Sequence, residues 1–267
     1  MIGRAIGAGF SFARDRVATG LIRLGVSPNA LTLTGMVLTA GCGVCYAVGT
    51  DRRFAWSLDP AAPANAYLLL AGIQMVLSSA CDMLDGAVAR LGGRGSRFGA
   101  FLDSTLDRYS DFAVYAGIAV HYAWVAPANA TFVLLSMRAF FNAFMISYAR
   151  ARAEDLIESC TVGYWQRGER SAAILIGTFA YNVPAMVVQQ ALLPMLTVLR
   201  RIFYTRSVLA GRTPIVDPRK GGWLLACRLW RWPRMTIPYD IVTGINIAWL
   251  IFAQIPPWDV LRILRGS

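Results

Sequence analysis

Apolar residues in this chain come in continuous runs rather than in alternation. Runs at 29–49, 64–81, 98–124, 128–149, 170–183 and 184–204 are dominated by Leu, Val, Ile, Ala, Phe and Met, and another covers 237–255. A membrane-spanning helix needs about 20 mostly apolar residues, whereas a membrane-spanning strand alternates apolar and polar positions. The pattern therefore predicts an all-α, multi-pass membrane helix bundle and argues against a β-barrel. The fifth run is short, and Pro184 is expected to mark the turn into the sixth. The last run holds Pro238, Asp240 and Asn246. It reads either as an extra, seventh span or as a re-entrant or interfacial hairpin.

The first 24 residues have no continuous apolar core, and Arg4, Arg14, Arg16 and Arg23 are scattered through them. This is no signal peptide. It reads as an amphipathic helix lying on the membrane, with arginines toward anionic headgroups.

Composition sharpens the class. The 267 residues are 56% hydrophobic and only 15% charged, against about 25% charged in an ordinary soluble domain. No repeat, low-complexity tract or soluble domain stands out. The basic residues fall into the N-terminal segment, the Arg90–Arg94–Arg97 loop, the 150–170 loop and the 200–234 segment. Counting spans puts all four on one side, which the positive-inside rule assigns to the cytoplasm. The 125–129 connection on the other side has no Lys or Arg, while Arg52 and Arg53 there are partly offset by Asp51 and Asp59. No nucleic-acid partner is expected.

Cys42 and Cys45 have a CxxC spacing, but they lie inside an apolar run with no second pair, so buried packing is the expected role. His121 is the single histidine and sits near the outer end of a span. Histidine-based metal or triad chemistry has little to work with.

The stretch Cys81–Asp111 is different, because it carries Asp82, Asp85, Asp103, Asp107 and Asp111. Asp82 and Asp85 share one helix face, and Asp103 and Asp107 share a face of the next helix. Between the helices, LGGRGSR reads as a loop. The two pairs are thus expected to face each other at the cytoplasmic ends of adjacent helices. Four carboxylates that close repel, and divalent cations relieve the repulsion. Oxygen ligands without Cys or His favour Mg²⁺, then Mn²⁺, so two metals bridging phosphate oxygens are expected. The competing reading is a proton or ion pathway, as in a transporter. Gly86 and Ala89 leave one helix side bare for a ligand, Arg90 is placed to clamp a phosphate, and Gly99 clears the opposite helix. Close helix packing in the membrane accounts for Gly86 and Gly99 as well.

Asp82-x-x-Asp85-Gly86-x-x-Ala89-Arg90, eight residues, then Gly99-x-x-x-Asp103-x-x-x-Asp107 resembles, without a gap, the signature of the CDP-alcohol phosphotransferase (CDP-alcohol phosphatidyltransferase) family. The resemblance covers about 28–206 and implies a six-span homodimer with metals at the cytoplasmic boundary of the cell membrane. It implies transfer of a substituted phosphate from a CDP-linked donor, CDP-diacylglycerol, to an alcohol, with release of CMP. By resemblance, Asp82, Asp85, Asp103 and Asp107 hold two divalent ions, and Asp107 doubles as the general base. Gly86, Arg90 and Ser96 contact the CDP moiety. Pro28-Asn29-Ala30-Leu31-Thr32 resembles the family's entry motif, which adds Asn29 and Thr32 to the nucleotide site. Helix capping after Pro28 is the plainer role for those two.

Arg150 in SYARARAED, Arg167 and Arg170 in YWQRGERSA, and Arg201 after LTVLR resemble the acceptor-phosphate residues of the inositol-phosphate branch, and DSTLDR at 103–108 resembles it too. Gln166 departs from that pattern, standing where an acidic residue is often found. The positive-inside rule alone would also place arginines at these ends. The expected acceptor is a small phosphorylated polyol, myo-inositol phosphate, with glycerol 3-phosphate and free inositol as rivals. An intramembrane prenyltransferase also uses Asp-rich helices with Mg²⁺, but with different spacing. The expected organisation is an interfacial helix over 1–27, the six-span domain over 28–206, a basic cytoplasmic segment over 207–236 and the last apolar segment over 237–257.

Overall fold

A computed structural model describes residues 2–49, 66–125, 128–212, 236–255, 259 and 263. Among these residues the fold is wholly helical. Helix α1 spans Ile2–Arg23, α2 Pro28–Gly49, α3 Ala66–Leu91, α4 Arg97–Val120 and α5 Ala130–Glu154. Then come α6 Arg167–Phe179, α7 Val183–Leu192, α8 Met195–Leu209 and α9 Ile237–Phe252. The outer loop with Arg52 and Arg53, and most of the basic segment expected at 207–236, lie outside the described residues.

Helices α2, α3, α5 and the α7–α8 stretch Val183–Leu209 are each long and apolar enough to cross a membrane. Two expected spans differ. Helix α4 has the length, 24 residues, but it carries the aspartates and Arg108. Helix α6 has only 13 residues, about 20 Å at 1.5 Å per residue. The sixth run is not one helix either, because Pro194 caps the start of α8 and a proline has no N–H for a continuing helix ladder. The turn before α7 is made by Tyr181, at φ 53, and by Asn182, whose side chain accepts from the Ala185 N–H. Pro184 lies in the first turn of α7.

The core joins α2 to α9. Tyr46, Leu68, Tyr115, Ile118, Phe132, Ile146, Met186 and Leu250 are all buried in it. Helices α2 and α4 cross at Gly43 and Gly117, where a Cβ on either would overlap the other helix's backbone. Only glycine allows that approach. Cys42 and Cys45 are buried free thiols there, and His121 is buried with Nδ1 3.1 Å from the Ala47 carbonyl. Helix α1 packs Ala18 against Leu31, Ala87 and Val88 and leaves Phe12, Val17 and Leu24 exposed.

Helix α9 lies against α6 and α7. Tyr239 donates to Glu169 near the start of α6 at 2.8 Å. At the other end, Asn182 donates to the Leu250 and Ala253 carbonyls. Beyond α9, Asp259 accepts from Thr131 at 2.8 Å at the start of α5.

Candidate active site

The site grows from a helix start. Ser27, rather than Asn29 or Thr32, caps α2, with its Oγ accepting from the Ala30 N–H at 3.2 Å. Thr32 is thereby free to reach across to α3, where its hydroxyl donates to Asp85 Oδ2 at 2.7 Å. Two turns deeper along α3, Ser78 bonds Thr39 at 2.7 Å and the Gly35 carbonyl at 2.9 Å. These contacts fix the rotation of α3, and so the direction of its carboxylates. Asp85 is buried, while Asp82 is exposed.

After the tight turn at Gly93, φ 61, Ser96 caps α4 by accepting from the Gly99 N–H at 2.9 Å. A Cβ on Gly99 would lie 3.1 Å from Ser96 Oγ and 3.3 Å from Asn29 Oδ1, so Gly99, Ser96 and Asn29 form one small niche. Arg90, one helical turn after Gly86, lays its guanidinium over that glycine, 3.3 Å from where a Cβ would stand.

Carboxylate oxygens of Asp82, Asp85 and Asp103 lie within 4.8 Å of one another. Asp103 Oδ1 is buried without a hydrogen-bond partner among the described residues. A buried carboxylate oxygen left unpaired beside two other carboxylates is costly. The arrangement fits a hard divalent cation, whose ligands are oxygens. Asp107 stands apart from this triad and accepts from Arg167. Arg167 also donates to Asp82 at 3.1 Å, and it is the shared counter-charge of Asp107, Asp82, Asp111 and Asp103.

A basic side faces this acidic one. Arg108 donates to Ser147 at 2.6 Å and pairs with Asp111 at 3.0 Å. Arg170 is 3% exposed, 3.6 Å from Asp111, and both its terminal nitrogens lack hydrogen-bond partners among the described residues. Arg201, also 3% exposed, donates to the Val162 and Ile146 carbonyls, yet still feels the charges of Arg150 and Arg170. Arg150 is exposed and paired with Glu154 at 2.9 Å. Of the four arginines expected at the site, Arg167 and Arg170 meet the carboxylates, while Arg201 and Arg150 stand behind with other partners. Arg108 and Asp111 were absent from the expected site set. Asp111 continues the four-residue step of Asp103 and Asp107, which is the signal that could have found it. A cavity of about 400 Å³ opens among α2, α3, α4 and α6, bounded by Asp82, Asp111, Arg167 and Ser171.

The CDP-alcohol phosphatidyltransferase family model matches residues 25–211. The chain belongs to the CDP-alcohol phosphatidyltransferase family. This transferase is 34% identical over 195 residues to an archaetidylinositol phosphate synthase of Pyrococcus horikoshii, covering 72% of the chain and 90% of that protein. It is 32% identical over 222 residues to a phosphatidylinositol phosphate synthase of Mycobacterium marinum, covering 79% of the chain and 86% of that protein. Its fold is similar to the crystal structure of Mycobacterium tuberculosis phosphatidylinositol phosphate synthase in complex with manganese and citrate. That likeness has a TM-score of 0.59 at 27% identity, covering 73% of this chain and 89% of that one. The same enzyme with CDP-DAG bound gives 0.58 at 28% identity, covering 72% and 92%. The transferase is thus a membrane enzyme of phospholipid synthesis whose carboxylates suit a divalent metal.

Proposed function

We propose that this transferase moves a phosphatidyl group from CDP-diacylglycerol to inositol phosphate, releasing CMP, at the cytoplasmic face of the plasma membrane. The observation that carries this reading is the juxtaposition of an acidic half and a basic half. Asp82, Asp85 and Asp103 lie beside Arg167 and Arg170. Both terminal nitrogens of the buried Arg170, 3.6 Å from Asp111, lack hydrogen-bond partners among the described residues, and such a guanidinium favours a phosphate.

Asp82, Asp85, Asp103 and Asp107 would hold two divalent ions, which when bound neutralise the pyrophosphate and stabilise the departing CMP. Asn29, Thr32, Gly86, Arg90 and Ser96 surround the nucleotide end. Gly86, with no side chain of its own, leaves room for the cytidine once the Arg90 guanidinium that lies over it turns to the phosphates. Asp107 takes the proton from the acceptor hydroxyl. It lies where the acidic and basic halves meet, beside Arg167, so a phosphate gripped by Arg167 and Arg170 brings its own hydroxyl toward that carboxylate. Arg201 and Arg150 add positive potential behind. Several arginines close together repel, and an acceptor dianion relieves the repulsion. The relatives named as phosphatidylinositol and archaetidylinositol phosphate synthases support the same acceptor. A homodimer is the expected assembly.

Purified protein given CDP-diacylglycerol, Mg²⁺ and one acceptor at a time provides the test. Release of CMP should be fastest with inositol phosphate, and slow with free inositol or glycerol 3-phosphate. Equal rates with free inositol would remove the acceptor assignment.

A further inference from the structure

The family match ends at residue 211, yet α9, at Ile237–Phe252, is built into the core and touches the helix that carries the site arginines. We infer that Tyr239 of α9 is a positioning residue for the acceptor site: by holding Glu169, it fixes the first turn of α6 and so aims Arg167 and Arg170. This inference rests on the acceptor reading above.

Arg167 and Arg170, three residues apart, share one face of α6, toward the carboxylates. Glu169 falls on another side, toward α9. Tyr239 Oη donates to Glu169 Oε1 at 2.8 Å. The Tyr239 ring lies against Tyr164, with centroids 5.2 Å apart, and Tyr164 Oη is 3.0 Å from Thr243 Oγ1. Helix α9 thus grips both the loop leading into α6 and the first turn of α6. That turn needs outside support. Gln166 stands at its cap position but makes no capping bond, donating instead to the Thr161 and Gly163 carbonyls.

The far end of α9 provides a control. Trp249 donates to the Ala185 carbonyl at 3.0 Å, a contact with α7 remote from the carboxylates. Tyr239→Phe retains the ring packing and loses only the hydroxyl.

Steady-state kinetics of the full chain, with inositol phosphate and CDP-diacylglycerol varied separately, and thermal midpoints in detergent, form the test. Tyr239→Phe is expected to raise the acceptor KM about threefold to tenfold, less than loss of a direct charge-assisted bond because the residue acts only through Glu169, with the donor KM unchanged. Glu169→Ala should do the same, and adding Tyr239→Phe to it should change nothing more. Glu169→Gln, which keeps an acceptor oxygen, should recover part of the loss. Trp249→Phe should lower the thermal midpoint and leave both KM values alone. If Tyr239→Phe moves the midpoint but not the acceptor KM, α9 is scaffold only and the inference falls. Arg170→Ala, measured alongside, separates the two readings. A raised acceptor KM in Arg170→Ala with none in Tyr239→Phe sinks the positioning role alone. The reverse removes Arg170 from the acceptor site and leaves Tyr239 acting through Arg167 alone.

Discussion

Arg167 donates to Asp107 across the α6–α4 interface, joining residues sixty positions apart in the chain. The contact is the hinge between the two halves of the site. On one side lie the carboxylates of α3 and α4, and on the other the arginines of α4 and α6. This pairing sets the acidic cluster and the basic cluster side by side.

The carboxylate triad is expected to be indispensable. Asp82→Asn or Asp103→Asn should abolish turnover, since each removes a charge from a cluster with few spare ligands. Chelator should silence the wild type, and Mg²⁺ or Mn²⁺ should restore it where Zn²⁺ alone does not. Full CMP release in excess chelator would end the metal reading.

Asp107 lies outside the triad, which sets its expected behaviour apart. Asp107→Asn should remove catalysis while CDP-diacylglycerol binding stays measurable in the presence of Mg²⁺. Simultaneous loss of binding and catalysis would make Asp107 chiefly a ligand.

Thr32 is expected to act on a bound metal through Asp85, to which its hydroxyl donates at 2.7 Å. Orienting bonds of this kind are worth about 10–100-fold in metal affinity or activity. Thr32→Val should therefore raise the Mg²⁺ concentration for half-maximal activity by about that factor, and saturating Mg²⁺ should restore most of the rate. An unchanged Mg²⁺ titration would show that Thr32 serves the nucleotide alone.

The arginines should separate by kind. Arg170→Ala is expected to raise the acceptor KM about tenfold to a hundredfold, as for a charge-assisted bond of about 1.5–3 kcal/mol, while sparing the donor KM. Arg201→Ala should also lower the thermal midpoint, because its guanidinium ties the Ile146 and Val162 carbonyls together. Unchanged acceptor kinetics in both variants would reduce these residues to topology signals.

Gly117 tests the packing beneath the site. A Cβ there would overlap the Gly43 backbone, so Gly117→Ala should destabilise the protein by about 1–3 kcal/mol, the usual range for overpacking. Thermal unfolding in detergent measures it. A midpoint equal to wild type would show that α2 and α4 separate without cost.

Read along the chain, the apolar runs and the aspartate spacing were enough to establish a helical membrane bundle with a metal-suited site. Both signals are local: hydrophobic run length reports burial in lipid, and steps of three and four residues report a shared helix face. Asp82 with Asp85, and Asp103 with Asp107, were therefore legible before any fold was known. What the tertiary structure decided depends on contacts between distant segments. Thr32 reaches Asp85 fifty-three residues away, Arg167 reaches Asp82 eighty-five away, and Tyr239 reaches Glu169 seventy away. No periodicity encodes such pairs, because they depend on how each helix is rotated about its axis, which packing at places such as Gly43 and Gly117 sets. The same arginines that look alike at three helix ends become different in three dimensions. Arg150 finds Glu154 one turn away, Arg201 is drawn onto backbone carbonyls, and Arg170 is buried beside Asp111 with both terminal nitrogens lacking hydrogen-bond partners among the described residues. Charge alone places an arginine on one side of a membrane, and only the neighbours that folding brings to it decide what that charge is for.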